Sequence, residues 1–193
     1  LPGIAWLVFG FAVYGTPVKM PVTEKEPLKP MSPYAESKAW AEEAVRQAGT
    51  KTMGTCILRL FNVFGPRAPA NQYSGVITQF ASRLRQNRPP LIYGDGSQTR
   101  DFIYVADAVR YFIAALEGKA TGTYNAGTGK ATTISELADA MINITGRKHI
   151  RPEHADARKG DIPHSRADMR AAVQALKIEP NHSLVQGLVM TLN

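Results

Sequence analysis

SPYAESKAWAEEAV, residues 32–45, decides how the chain is read. Ser32 offers a helix cap and Pro33 suits a first turn, so a helix opens here and runs to about Gln47. Tyr34 and Lys38 then stand four residues apart on one helix face. A free phenol titrates near pH ~10 and is a poor base at neutral pH. A neighbouring ammonium favours the phenolate and makes it a usable proton acceptor for a hydroxyl. The spacing alone is weak evidence, because it arises by chance in a chain with seven tyrosines. The elements around the pair have to carry the rest.

Upstream, Ile4 to Phe9 reads as a fully buried strand ended by Gly10 and Gly15, followed by a proline-punctuated loop. Downstream, Thr55 to Phe61 is an apolar, β-branched strand, and NVFGPRAPANQYSG is a loop. A helix from Val76 to about Asn87 and a short strand PPLIYG come next. DGSQTRDFIYV turns into an extended segment. Then follow a helix near Ala106 to Leu116, a strand GTYNAG and a helix from Ile134 to Thr145. The end holds a strand near His149 to Arg151, a polar loop, a helix from about Arg166 to Leu176 and a last helix near Leu184. Strands and helices alternate without a repeat, so the class is α/β.

Composition bounds the function. The chain has 193 residues, 44% hydrophobic and 20% charged, enough for a real core. Its single cysteine, Cys56, excludes an internal disulfide, suits a reducing cytoplasm and reads as an inert core thiol. The net charge of +7 is scattered rather than interleaved with aromatics, which argues against nucleic acid and for arginines reserved for a small anion. The opening apolar run is too short for a bilayer span and has no basic flank, so neither a membrane helix nor a signal peptide is expected. His149, His154, His164 and His182 lack metal-site spacing, so no metal is expected. GTGKATT, residues 127–133, mimics a phosphate loop, but Ala131 stands where such a loop needs Ser or Thr.

Six motifs occur in a telling order: AVYG, PVTE, SPYAESK, LRLFNVFGPR, IYGDGSQTRDFIYV and YNAGTGK. Together they resemble the extended short-chain dehydrogenase/reductase family, and within it the nucleotide-sugar epimerases of the UDP-hexose 4-epimerase type. The resemblance covers nearly the whole chain. It implies the C-terminal part of a Rossmann-like parallel sheet plus a small mixed α/β substrate-binding domain. Residues 1–65 would be a remnant of the NAD-binding domain. Residues 66–193 would mostly bind the nucleotide sugar, with some elements returning to the first domain.

By that resemblance Tyr34 is the acid/base at the sugar C4 hydroxyl, and Lys38 favours its ionised form and binds the nicotinamide ribose of NAD. Phe61 would pack near the nicotinamide, with ordinary core packing as the alternative. Arg100 and Arg158 match ligands of the pyrophosphate, and a guanidinium suits them because it donates a forked pair of hydrogen bonds. Asn62 would bond the diphosphate or sugar. Val76, Leu91 and Tyr93 match positions lining the nucleobase pocket, and Asp161 one that holds its ribose. Ser165 stands where a small residue leaves room for an N-acetyl group on the sugar. The helix carrying Tyr34 is one this family uses for dimers, so a homodimer is expected of the intact enzyme.

Two departures limit the enzyme reading. The glycine-rich fingerprint that cradles the NAD pyrophosphate is absent, so the chain reads as a fragment beginning inside a larger domain and inactive alone. The family's catalytic Ser or Thr falls on Gly10, where FGF replaces the usual hydroxyls; losing such a contact costs on the order of 10²-fold in rate. Sibling dehydratases and decarboxylases carry an acid where this chain has Ala12, which favours the epimerase over a lyase. A reading of another class is a sugar-nucleotide-binding fragment without catalysis.

Overall fold

The computed structural model describes residues 4–49, 54–71, 74–118, 120–158 and 160–192, with 4–9 by their backbone. The central layer is a parallel sheet of three strands, β1 (Ile4–Gly10), β2 (Gly54–Leu60) and β7 (Gly122–Ala126), in the order β1-β2-β7. Gly10 pairs with Leu60 and Leu60 with Ala126, so the carboxyl ends of all three strands finish together. Whether β1 is buried on both faces, as its sequence suggests, lies outside the described side chains.

Strand β2 shows why the sheet has two covered faces. Cys56, Ile57, Leu58 and Arg59 are all buried, and side chains alternate across a strand. Cys56 and Leu58 join Tyr111 and Ala115 of helix α3 (Val105–Glu117) and Ala172 and Leu176 of α5 (Arg170–Leu176) in one apolar cluster. Arg59 points the other way and meets Glu42 of α1 (Pro33–Ala48). Burial pushes the Cys56 thiol up to about 11. Helix α1 begins as its sequence demands: the Ser32 hydroxyl accepts from the Ala35 amide at 3.1 Å, with Pro33 in the first turn.

The remaining elements form small paired strands around a second core. Strand β3 (Asn62–Phe64) pairs parallel with β6 (Phe102–Tyr104), and β4 (Leu91–Tyr93) pairs parallel with β9 (Glu153–Ala155). Strand β5 (Thr99–Arg100) runs antiparallel to β8 (Thr132–Thr133). Helices α2 (Val76–Arg85), α4 (Ile134–Ile144) and α6 (Leu184–Leu192) pack their apolar sides together around Phe80, Leu84, Leu137, Met141 and Leu188. A reciprocal cap opens α4: Thr133 accepts from the Glu136 amide at 3.0 Å, and Glu136 accepts from the Thr133 amide at 2.8 Å.

Three elements differ from the sequence reading. The strand expected near His149 to Arg151 is a turn, with the Ile150 amide on the Arg147 carbonyl at 2.9 Å, and the strand lies at Glu153–Ala155. The helix expected from Arg166 begins at Arg170. Its first residues are committed elsewhere: the Arg166 carbonyl accepts from Val22, the Asp168 amide donates to Val22, and the Ala167 amide donates to Asp101 Oδ2. The start of the expected loop, Asn62–Phe64, is a strand because β6 supplies its hydrogen-bond partner.

Candidate functional site

At the carboxyl ends of the strands the chain forms a cleft of about 190 Å³, where ligands of open α/β sheets generally bind. Asn62, Val76, Leu91, Tyr93, Arg100, Arg158 and Asp161 all line it. These residues come from four strands or helices and one loop, and the fold brings every one to the same wall. A second cavity, about 360 Å³, adjoins it and shares Asn62, Ser74, Gly75 and Val76.

Each side chain is held by its surroundings. Asn62 donates to the Asp101 carbonyl from both its amide, at 3.0 Å, and its side chain, at 3.1 Å. Arg100 donates to Asp161 Oδ1 at 2.6 Å and to the Thr99 carbonyl at 2.8 Å. Burial pulls its pKa down and the Asp161 carboxylate opposes that. The Arg158 guanidinium carbon lies 3.9 Å from the centre of the Tyr93 ring, a cation–π contact between two residues that line the cleft.

Asp101, next to Arg100, is fully buried and ties three segments together. Its carboxylate accepts from the Thr128 amide and hydroxyl, the Gly129 amide and the Ala167 amide, at 2.6–3.0 Å. The residues resembling a phosphate loop are therefore a turn fastened to a buried carboxylate. Gln98, Ser74, Gly75, Gln79 and Ile134 also line the cleft and were not singled out from sequence. Gln98 and Gln79 are spent on the Tyr93 and Ser74 carbonyls, each at 2.7 Å.

Tyr34 and Lys38 stand outside that cleft, on the first two turns of α1. The phenol is 60% exposed, and the Lys38 ammonium lies 5.3 Å from the centre of its ring. The Tyr34 hydroxyl faces the end of β1: a Cβ at Gly10 would lie 3.9 Å from it. Gly10 is the strand partner of Leu60, two residues before Asn62, so the sheet edge leads from phenol to cleft. Tyr34 is exposed and Lys38 half-buried, side by side on one helix face. Phe61 does not present itself in that way. It is 4% exposed and packs on Phe11 with ring centres 4.9 Å apart, inside a core with Val13, Tyr14 and Val22. Ser165 is wholly buried, lies off the cleft, and its hydroxyl has no hydrogen-bond partner among the described residues.

Beneath α1 runs a polar network that the sequence reading missed. Glu42, fully buried, accepts from Arg59 Nε at 3.1 Å and more closely from Arg59 Nη2 and Arg46. Arg59 also donates to the Tyr14 hydroxyl at 2.8 Å and the Glu24 carbonyl at 3.1 Å. Tyr14 donates to Asn125 Oδ1 at 2.7 Å, and the Asn125 amide donates to Glu24 Oε1 at 2.8 Å. Burial lowers the pKa of Arg59, but Glu42 and Tyr14 more than offset it and leave it raised. Glu42 follows Lys38 by one helical turn and Tyr34 by two, so the clamp fastens the helix that carries the pair to β2. The signal was present: an arginine inside an apolar strand needs a buried partner.

Residues 9–127 match the profile of the NAD dependent epimerase/dehydratase family. A putative UDP-glucose 4-epimerase of Methanocaldococcus jannaschii is 36% identical over 188 residues, covering 95% of this chain and 60% of its own. A UDP-N-acetylglucosamine 4-epimerase from Methanobrevibacter ruminantium M1, solved with UDP-N-acetylmuramic acid, superposes with a TM-score of 0.92 at 34% identity; 98% of this chain and 61% of that one are covered. A UDP-glucose 4-epimerase from Thermotoga maritima, solved with UDP-glucose, gives 0.90 at 34% identity, over 97% and 62%. The chain thus spans about 60% of the length of these relatives.

Proposed function

The chain belongs to the NAD dependent epimerase/dehydratase family, and from that premise we propose that it is the substrate-holding part of a UDP-sugar 4-epimerase. The observation that carries the reading is the meeting of Arg100, Arg158, Asn62 and Asp161 in one cleft. Two guanidinium groups suit a diphosphate, the amide its oxygens or the sugar, and the carboxylate a ribose hydroxyl. Val76, Leu91 and Tyr93 provide the apolar wall for the base. The chain spans about 60% of the length of these relatives, and the activity is proposed for the whole enzyme, with residues 1–65 assigned to its dinucleotide part and residues 66–193 mostly to its substrate part.

In that protein Tyr34 takes the proton from the C4 hydroxyl and returns it from the same oxygen. Lys38, on the same helix face, stabilises the charge left on the phenol and holds the nicotinamide ribose. NAD, when bound, supplies the hydride acceptor that oxidation at C4 requires. Phe61 supports the site from within the core, and Ser165, wholly buried and away from the cleft, has no contact with the sugar in this reading. Ala12, in place of an acid, supports epimerisation over elimination. The scattered positive charge supports a small anion over nucleic acid. The exposed Trp40 of α1 supports self-association through that helix, and the lone thiol supports a cytoplasmic setting.

Calorimetry tests the reading. The chain is expected to bind UDP, with Arg100→Met and Arg158→Met each weakening it by about tenfold or more. Absence of UDP binding, or binding indifferent to both substitutions, refutes it.

A further inference from the structure

The two cleft arginines are not equivalent. Arg158 is stacked on Tyr93 and has no carboxylate partner among the described residues. Arg100 is engaged: its side chain is 14% exposed, and its one anionic partner among the described residues is Asp161 at 2.6 Å. Asp161 is more open, at 39%, and lines the same cleft. Both contacts to its carboxylate, from Arg100 and from the Ile162 amide at 3.1 Å, fall on Oδ1.

We infer that Asp161 is an internal stand-in for the ligand's phosphate, and that its displacement makes the cleft select nucleoside diphosphates over bare pyrophosphate. The inference rests on the nucleotide-sugar reading of this cleft. An incoming diphosphate meets Arg158 unpaired but finds Arg100 holding a carboxylate. Like charges cannot share one guanidinium at hydrogen-bond distance without repulsion, so Asp161 swings aside into solvent-accessible space. A bare pyrophosphate breaks the Arg100–Asp161 pair and offers the released carboxylate nothing. A nucleoside diphosphate offers it ribose hydroxyls, whose O–H groups donate to an ionised acid. One exchange thereby couples phosphate capture to recognition of the attached sugar, by raising the barrier to the wrong anion.

The sign of one substitution separates this from a structural role. Calorimetry on the 193-residue chain with inorganic pyrophosphate and with UDP, without divalent metal, compares the wild type with Asp161→Ala and Asp161→Asn. Removing the carboxylate is expected to tighten pyrophosphate binding by about 3–10-fold and to lower the UDP-to-pyrophosphate affinity ratio by at least about tenfold. A residue that merely supports the turn would weaken both ligands. Unchanged or weaker pyrophosphate binding in a variant, with UDP still bound by the wild type, overturns the inference alone. Failure of the wild type to bind UDP overturns the cleft assignment and this inference with it. Should the alanine variant lose its native circular dichroism, the asparagine variant, which keeps the shape and drops the charge, decides.

Discussion

Replacing Glu42 by alanine leaves the Arg59 guanidinium buried without its counter-charge. Arg59 would lose two hydrogen bonds to the carboxylate and keep two neutral acceptors, the Tyr14 hydroxyl and the Glu24 carbonyl. Breaking a buried ion pair from one side costs about 3–5 kcal/mol. The surviving acceptors place this case near the lower bound, about 3 kcal/mol, a large share of the roughly 5–15 kcal/mol that holds a domain together. Urea denaturation followed by circular dichroism at pH 7 would read the loss as a shift in midpoint. Glu43, exposed and 3.5 Å from Arg46, is the control, and its alanine variant is expected to change stability by at most about 0.5 kcal/mol. The double variant Glu42→Leu with Arg59→Met removes both charges and is expected to recover most of the loss, because desolvation no longer opposes it. The reasoning fails if Glu42→Ala stays within about 1 kcal/mol of the wild type, or if the double variant is no better than the single one.

The same network gives a pH dependence. Burial pushes the Tyr14 phenol up to about 12, with Arg59 opposing. Since the folded value exceeds the unfolded one of about 10, the contribution is complete below pH ~10 and lost as pH rises toward ~12. Between pH 9 and 11.5 the wild type should lose stability faster than Tyr14→Phe, and parallel curves would refute it. The glycines differ sharply. A Cβ at Gly10 meets nothing nearer than 3.9 Å, so Gly10→Ser should leave stability within about 0.5 kcal/mol. Gly15 adopts a φ of +64°, and a Cβ there would lie 2.1 Å from the Lys29 carbonyl oxygen, so Gly15→Ala should cost more than about 2 kcal/mol. Equal urea midpoints for the two variants would contradict both placements.

What could be read in advance followed from local rules. The Ser32–Pro33 start of α1, the apolar β2 and the amphipathic α2 and α4 depend on capping and periodicity within a few residues. Seven residues assigned to ligand binding by motif order also share one cleft. What escaped depended on distant partners. Glu153–Ala155 is polar and becomes a strand because Leu91–Tyr93 lies beside it. Arg166 to Met169 resembles the first turn of a helix, yet Val22 and Asp101 claim its backbone groups. Tyr14, Glu24, Glu42, Arg59 and Asn125 each look ordinary in line; their common network appears only when loop, helix and two strands meet.

The lone thiol in the middle strand has a further use. Cys56 is sealed from solvent, and burial suppresses its ionisation. An alkylating reagent reaches it only during moments when the layers part, so the rate of covalent tagging is a clock for how often the sheet opens.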